Sequence, residues 1–112
     1  MKDVRNDIFD EITLRPQTRR WITSLEKRFV LEDFHLRLLA LAGAAWDRAV
    51  EARQEIADQG LTFVDRFGQT KLSPCVSIEA QSMVNFARLL REVGLDLEKT
   101  DLPQPPRPGG YK

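Results

Sequence analysis

The segment from Glu32 to Gln59 restricts this chain more than any other, because it reads as one uninterrupted helix that is apolar on more than one face. At helical spacing Phe34, Leu38, Leu41, Ala45, Ala49, Ala52 and Ile56 form one stripe, and Leu39, Ala42, Trp46 and Val50 form a second beside it. One stripe is enough to seat a helix on a core. A helix of about 28 residues is roughly 40 Å long, whereas a compact domain of this chain length is roughly 27 Å across. The second stripe and the excess length point to a partner subunit. The alternative is a monomer whose neighbouring helices cover both stripes.

The elements around it are legible from their punctuation. Pro16 and Thr18 mark a helix start, and Trp21, Ile22, Leu25 and Phe29 give the following run one apolar side, with Arg19, Arg20, Lys27 and Arg28 largely on the other. Gly60 is placed to stop the long helix. From Leu61 to Leu72 the pattern changes to β-branched and aromatic residues around Arg66-Phe67-Gly68, a small hairpin with a three-residue loop. Such a hairpin is marginal alone and needs helices or another subunit to pack on. Ser73-Pro74 opens a last helix as N-cap and first helical residue, and Gly94 closes it. The expected organisation is therefore mainly α: helix, long helix, small β-hairpin, helix. A single helical domain spans 15–94, with the hairpin at 61–72. Residues 1–14 form a mobile arm or one short helix docked on a neighbour, and 95–112, with four prolines, form an extended Pro-rich tail.

Charge is segregated rather than biased. The whole chain carries 17 basic and 17 acidic residues, so net charge gives no support for a polyanion partner. Locally, Arg15, Arg19, Arg20, Lys27 and Arg28 face only Glu26 between residues 15 and 30, whereas residues 31–60 hold six acids and three bases. A basic element ahead of an acidic one suits a polyanion site, and it equally suits two helices holding each other.

Catalytic and metal-binding patterns are missing. His35 is the sole histidine, and its neighbours Glu32 and Asp33 do not converge with it on a helix, so it reads as a surface or interface residue. The lone Cys75 excludes an internal disulfide and fits a reducing compartment. It has no general base beside it in sequence and reads as a small, semi-buried residue. The glycines stand apart and cradle no phosphate. Asp47, Glu51, Glu55 and Asp58 recur at spacings of four and three, interleaved with Arg48 and Arg53, a solvated acidic face. No enzyme, no cofactor, no metal and no membrane span are expected, since no run approaches the roughly 20 apolar residues of a span.

One ordered series of words resembles the small subunits of phage DNA-packaging terminases. It runs from Pro16-x-Thr18-Arg19-Arg20-Trp21 through His35-Leu36-Arg37-Leu38-Leu39, Leu41-Ala42, Ala45-Trp46-Asp47-Arg48-Ala49, Gly60-Leu61-Thr62, Asp65-Arg66-Phe67-Gly68, Lys71 and Pro74 to Phe86-Ala87-Arg88-Leu89-Leu90-Arg91-Glu92. The series covers about residues 16–95. The sequence around Glu79-Ala80-Gln81-Ser82 is less charged than in that group.

The resemblance implies a non-catalytic protein that forms a homo-oligomeric ring and binds double-stranded viral DNA. It would deliver that DNA to the terminase large subunit, the ATPase and nuclease, in the host cytoplasm. On that reading Arg15, Arg19, Arg20, Lys27 and Arg28 are the phosphate contacts, with Arg66 at the hairpin tip as a further candidate. Leu39, Ala42, Trp46, Val50, Phe63 and Phe67 are the assembly residues, with Trp46 as anchor. A solvated or salt-bridged basic helix and an intrachain Trp46 remain the alternatives. Two other classes fit parts of the chain: a small dimeric transcriptional regulator, and a structural adaptor without nucleic-acid binding.

Overall fold

A computed structural model describes residues 4–94, with the backbone alone at 4–6. The Pro-rich tail expected at 95–112 lies outside the described residues. The elements follow the order α1 (Val4–Glu11), α2 (Pro16–Arg28), α3 (Asp33–Gln59), β1 (Thr62–Val64), β2 (Thr70–Leu72) and α4 (Pro74–Val93). The mainly helical architecture read from the sequence is the one observed, and residues 4–11 of the amino-terminal stretch are helical.

The two longest helices form an antiparallel pair with the β-hairpin at its tip. Arg53 of α3 meets Glu79 of α4 at 2.5 Å, and nearer the other end Trp46 packs on Phe86. The helix boundaries have local causes. The Glu32 N–H donates to His35 Nδ1 at 2.9 Å, one arm of a capping box, so His35 closes the start of α3 instead of waiting for a partner. Ser73 Oγ accepts from Cys75 N–H at 3.2 Å, with Pro74 as the first residue of α4. Gly94 adopts φ 64°, the left-handed conformation that ends many helices.

The hairpin registers Thr62 with Leu72, Phe63 with Lys71 and Val64 with Thr70. Asp65 N–H donates to Gln69 O at 2.9 Å and Gly68 N–H to Asp65 O at 3.0 Å, which leaves Arg66, Phe67 and Gly68 as the three loop residues. Gly68 has φ 80°, as the residue after the turn in such a loop requires. At the base, Ser73 N–H donates to Leu61 O at 2.7 Å.

The core sits at the opposite end from the hairpin. Leu14, Ile22, Leu39 and Val93 are its buried centre, surrounded by Phe9, Ile12, Trp21, Leu25, Leu36, Leu38 and Leu90. Ile8 of α1 is also buried. The two stripes of α3 are not divided into an inner and an outer one. Leu39, Ala42, Ala49 and Ala52 are buried, while Phe34, Leu41 and Trp46 are about half exposed. The reason is geometric: α1, α2 and α4 all pack on α3, α4 most extensively, and burial on α3 follows these neighbours rather than its stripes.

Candidate functional site

The basic helix α2 is fixed on α3 by a contact that connects two distant stretches of sequence. Arg15 precedes α2 and offers no side-chain cap of its own. Asp47, from the middle of α3, supplies it. One carboxylate oxygen, Oδ2, accepts from Arg15 N–H at 2.8 Å. The other, Oδ1, accepts from the Thr18 hydroxyl at 2.5 Å. Asp47 and Thr18 are both buried. A carboxylate at a helix N-terminus satisfies an orphan donor and suits the dipole. Asp47 is thereby removed from the solvated acidic face expected at Asp47, Glu51, Glu55 and Asp58; the other three are exposed along α3.

Gly43 lies one turn before Asp47 and lets the start of α2 come close. A methyl group there would meet Thr18 Cγ2 at 2.7 Å and Leu14 Cδ2 at 3.4 Å. Two signals were present in the sequence: a glycine inside a helix, which costs about 1 kcal/mol relative to Ala, and an acid one turn on. Without the fold, nothing pairs them with Thr18.

Held this way, α2 turns its basic residues outward. Arg19, Arg20, Lys27 and Arg28 are all exposed, and Arg15 is half-buried. Arg20 and Lys27, seven residues apart, share a face; Arg19 and Arg28 flank it, fanning over about half the circumference at about 100° per residue. The Arg19 guanidinium lies over the Phe9 ring at 4.8 Å and that of Arg28 over Phe29 at 5.8 Å. Ion pairs between described residues include Arg37–Asp33, Arg53–Glu79 and Lys71–Asp65. Arg66 does not join the basic face. It stacks on Phe67 at 5.0 Å at the hairpin tip, beyond the end of α3, which continues for about 18 Å past Asp47 at about 1.5 Å per residue.

The residues expected to mediate assembly fall into two groups. Leu39 and Ala42 are fully buried inside the chain, beneath the helices packed on α3. Trp46 is 47% exposed, with its ring 5.2 Å from Phe86, and Val50 is half-buried. Phe63 and Phe67 are exposed, Phe67 to 75%. They belong to a larger apolar end: no residue from Arg53 to Gln81 is buried, yet Leu61, Phe63, Val64, Phe67, Leu72 and Ile78 lie open there. Both strands are exposed along their whole length.

The hairpin loop owes its order to Asp65. Its Oδ1 accepts from Phe67 N–H and Gln69 N–H, each at 2.9 Å, and its Oδ2 sits 3.4 Å from Lys71 Nζ. The Gln69 N–H foremost, with Phe67 N–H and Lys71, holds the Asp65 carboxyl below the usual carboxylate range.

An aromatic groove of about 430 Å³ opens between α2, α3 and α4, lined by Gln17, Thr18, Trp21, Trp46, Phe86 and Leu90. Sequence reasoning missed it, because its three rings come from three helices. Among the described residues no three His, Cys, Asp or Glu could hold a metal ion, and no helix is long and apolar enough to cross a membrane.

The model of one protein family, described as phage terminase, small subunit, matches residues 17–101. No curated protein and no solved structure matches the chain. The match takes in α2, α3, the hairpin and α4, and the chain belongs to the phage terminase small-subunit family.

Proposed function

We propose that this member of the phage terminase small-subunit family is the non-catalytic, DNA-recognising component of a genome-packaging machine. It assembles as a homo-oligomeric ring, binds double-stranded viral DNA through the outer face of α2, and presents that DNA to the terminase large subunit in the host cytoplasm.

The observation that carries this reading is the apolar hairpin end. A two-stranded hairpin is marginal on its own, and this one is joined to a pair of helices with no buried residue from Arg53 to Gln81. An exposed apolar surface of this kind signals an interaction site. In a ring each copy sets this end against a different surface of the next, a heterologous contact that closes by rotation. Phosphate contacts from α2 then repeat around the ring, and weak contacts gain from repetition. Such contacts position DNA without reading its sequence. The regulator reading loses support because its second helix, α3, is covered by α1, α2 and α4 and cannot enter a groove.

The test is DNA binding by Arg19→Glu/Arg20→Glu over a salt series. Each lost phosphate contact lowers the slope of log affinity against log salt by about 0.9. The slope should therefore fall by roughly 2 per engaged subunit, with the oligomer mass unchanged. Equal affinity and slope in both proteins would make α2 structural and favour the adaptor.

A further inference from the structure

The groove between α2, α3 and α4 has an occupant within the same chain: we infer that it receives the segment Pro103–Pro108 of the carboxy-terminal tail, packed as a polyproline II turn against Trp21, Phe86 and Trp46.

Three observations lead there. The first is the chemistry of the lining. Trp21 and Trp46 lie 6.0 and 5.2 Å from the Phe86 ring, tilted by 45° and 51°. Both indoles are thus tilted against the Phe86 ring and do not stack flat on it. Aromatic-lined grooves of this kind accept proline-rich segments, whose extended conformation is set before binding and costs little entropy to dock. A polyproline II segment makes no internal hydrogen bonds, and three of the residues that line the groove, Gln17, Trp21 and Trp46, are of types that carry side-chain N–H donors.

The second is spacing. The two indoles are at most about 11 Å apart, being 6.0 and 5.2 Å from a common ring. One polyproline II turn of three residues rises about 9 Å. Pro103 with Pro106, and Pro105 with Pro108, are each three residues apart, so either pair presents two rings on one face at that separation.

The third is reach. Leu90 lines the groove, and the described chain ends four residues later at Gly94, whose positive φ turns the backbone away from the helix path. Residues 95–102 separate Gly94 from Pro103. Extended, they span about 26 Å, while Leu90 and Phe86 are one helical turn, about 6 Å, apart. The segment arrives at the groove with slack.

The chain has two tryptophans in all, and both line this groove. Tryptophan emission of the full-length protein therefore reads groove occupancy directly. The comparison is wild type against the full-length variant Pro103→Gly/Pro105→Gly/Pro106→Gly/Pro108→Gly, whose substitutions lie outside the helical domain, with far-UV circular dichroism to confirm equal helix content. Emission should shift to the red in the variant, and protection from acrylamide should be lost. Equal emission and equal quenching in the two proteins would overturn the inference. Protection that disappears when wild type is diluted out of its assembled state would place a neighbour's tail in the groove and overturn the within-chain arrangement. Protection independent of concentration, lost in the variant alone, supports it. The DNA-binding and mass measurements do not depend on the tail, so failure here leaves the ring reading standing.

Discussion

Asp47 shows how far a single residue can depart from its sequence pattern. Helical spacing groups it with Glu51, Glu55 and Asp58, yet it is 6% exposed and caps α2. Asp47→Ala leaves the Arg15 N–H and the Thr18 hydroxyl without their acceptor. Hydrogen bonds to a charged group contribute about 1.5–3 kcal/mol each; because the two share one carboxylate and water enters the gap, the expected loss is about 2–3 kcal/mol in urea unfolding. Gly43→Ala tests the same contact through its sign. In an exposed helix the change would stabilise by about 1 kcal/mol. Here the new methyl meets Thr18 Cγ2, a branched side chain whose hydroxyl is already tied to Asp47. Unfolding should show a loss of about 1–3 kcal/mol, as for overpacked sites. At this scale the sequence was least informative. Periodicity assigns a face, and it cannot show that another helix crosses that face at one point.

At the scale of elements much more was readable, because caps and turns are local. Ser73-Pro74, Gly60 and Gly94 mark helix ends at the positions observed. The hairpin loop Arg66-Phe67-Gly68 was legible for the same reason. What stayed hidden was assembled from several elements. The aromatic groove takes Trp21, Trp46 and Phe86 from three helices, and the burial of Leu39 and Ala42 depends on how α1, α2 and α4 divide the surface of α3.

The loop also carries a pH dependence. The Asp65 carboxyl is held below its unfolded value, so its contribution is fully present above that unfolded value. The contribution is lost as pH falls through the lower, folded one. Amide exchange at Phe67 and Gln69, followed by NMR, should speed up in that acid window and stay constant above it. In Asp65→Asn the transition should vanish.

The whole molecule is organised as two ends with different needs. One end buries Leu14, Ile22, Leu39 and Val93 and is satisfied within the chain. The other leaves Leu61, Phe63, Val64, Phe67 and Leu72 open. Burial on α3 divides along the helix rather than between its two stripes. The proposed repeating, DNA-binding assembly rests on membership of the phage terminase small-subunit family, the outward basic face of α2 and the uncovered hairpin end.

The most direct test of that account is the solution mass of the full-length protein by light scattering coupled to size exclusion, run beside Phe63→Ser/Phe67→Ser. The account predicts one wild-type species of many subunits, and a double variant that falls to smaller species with its helix content intact. A wild type that elutes as a monomer or dimer, or a double variant of unchanged mass, would contradict it.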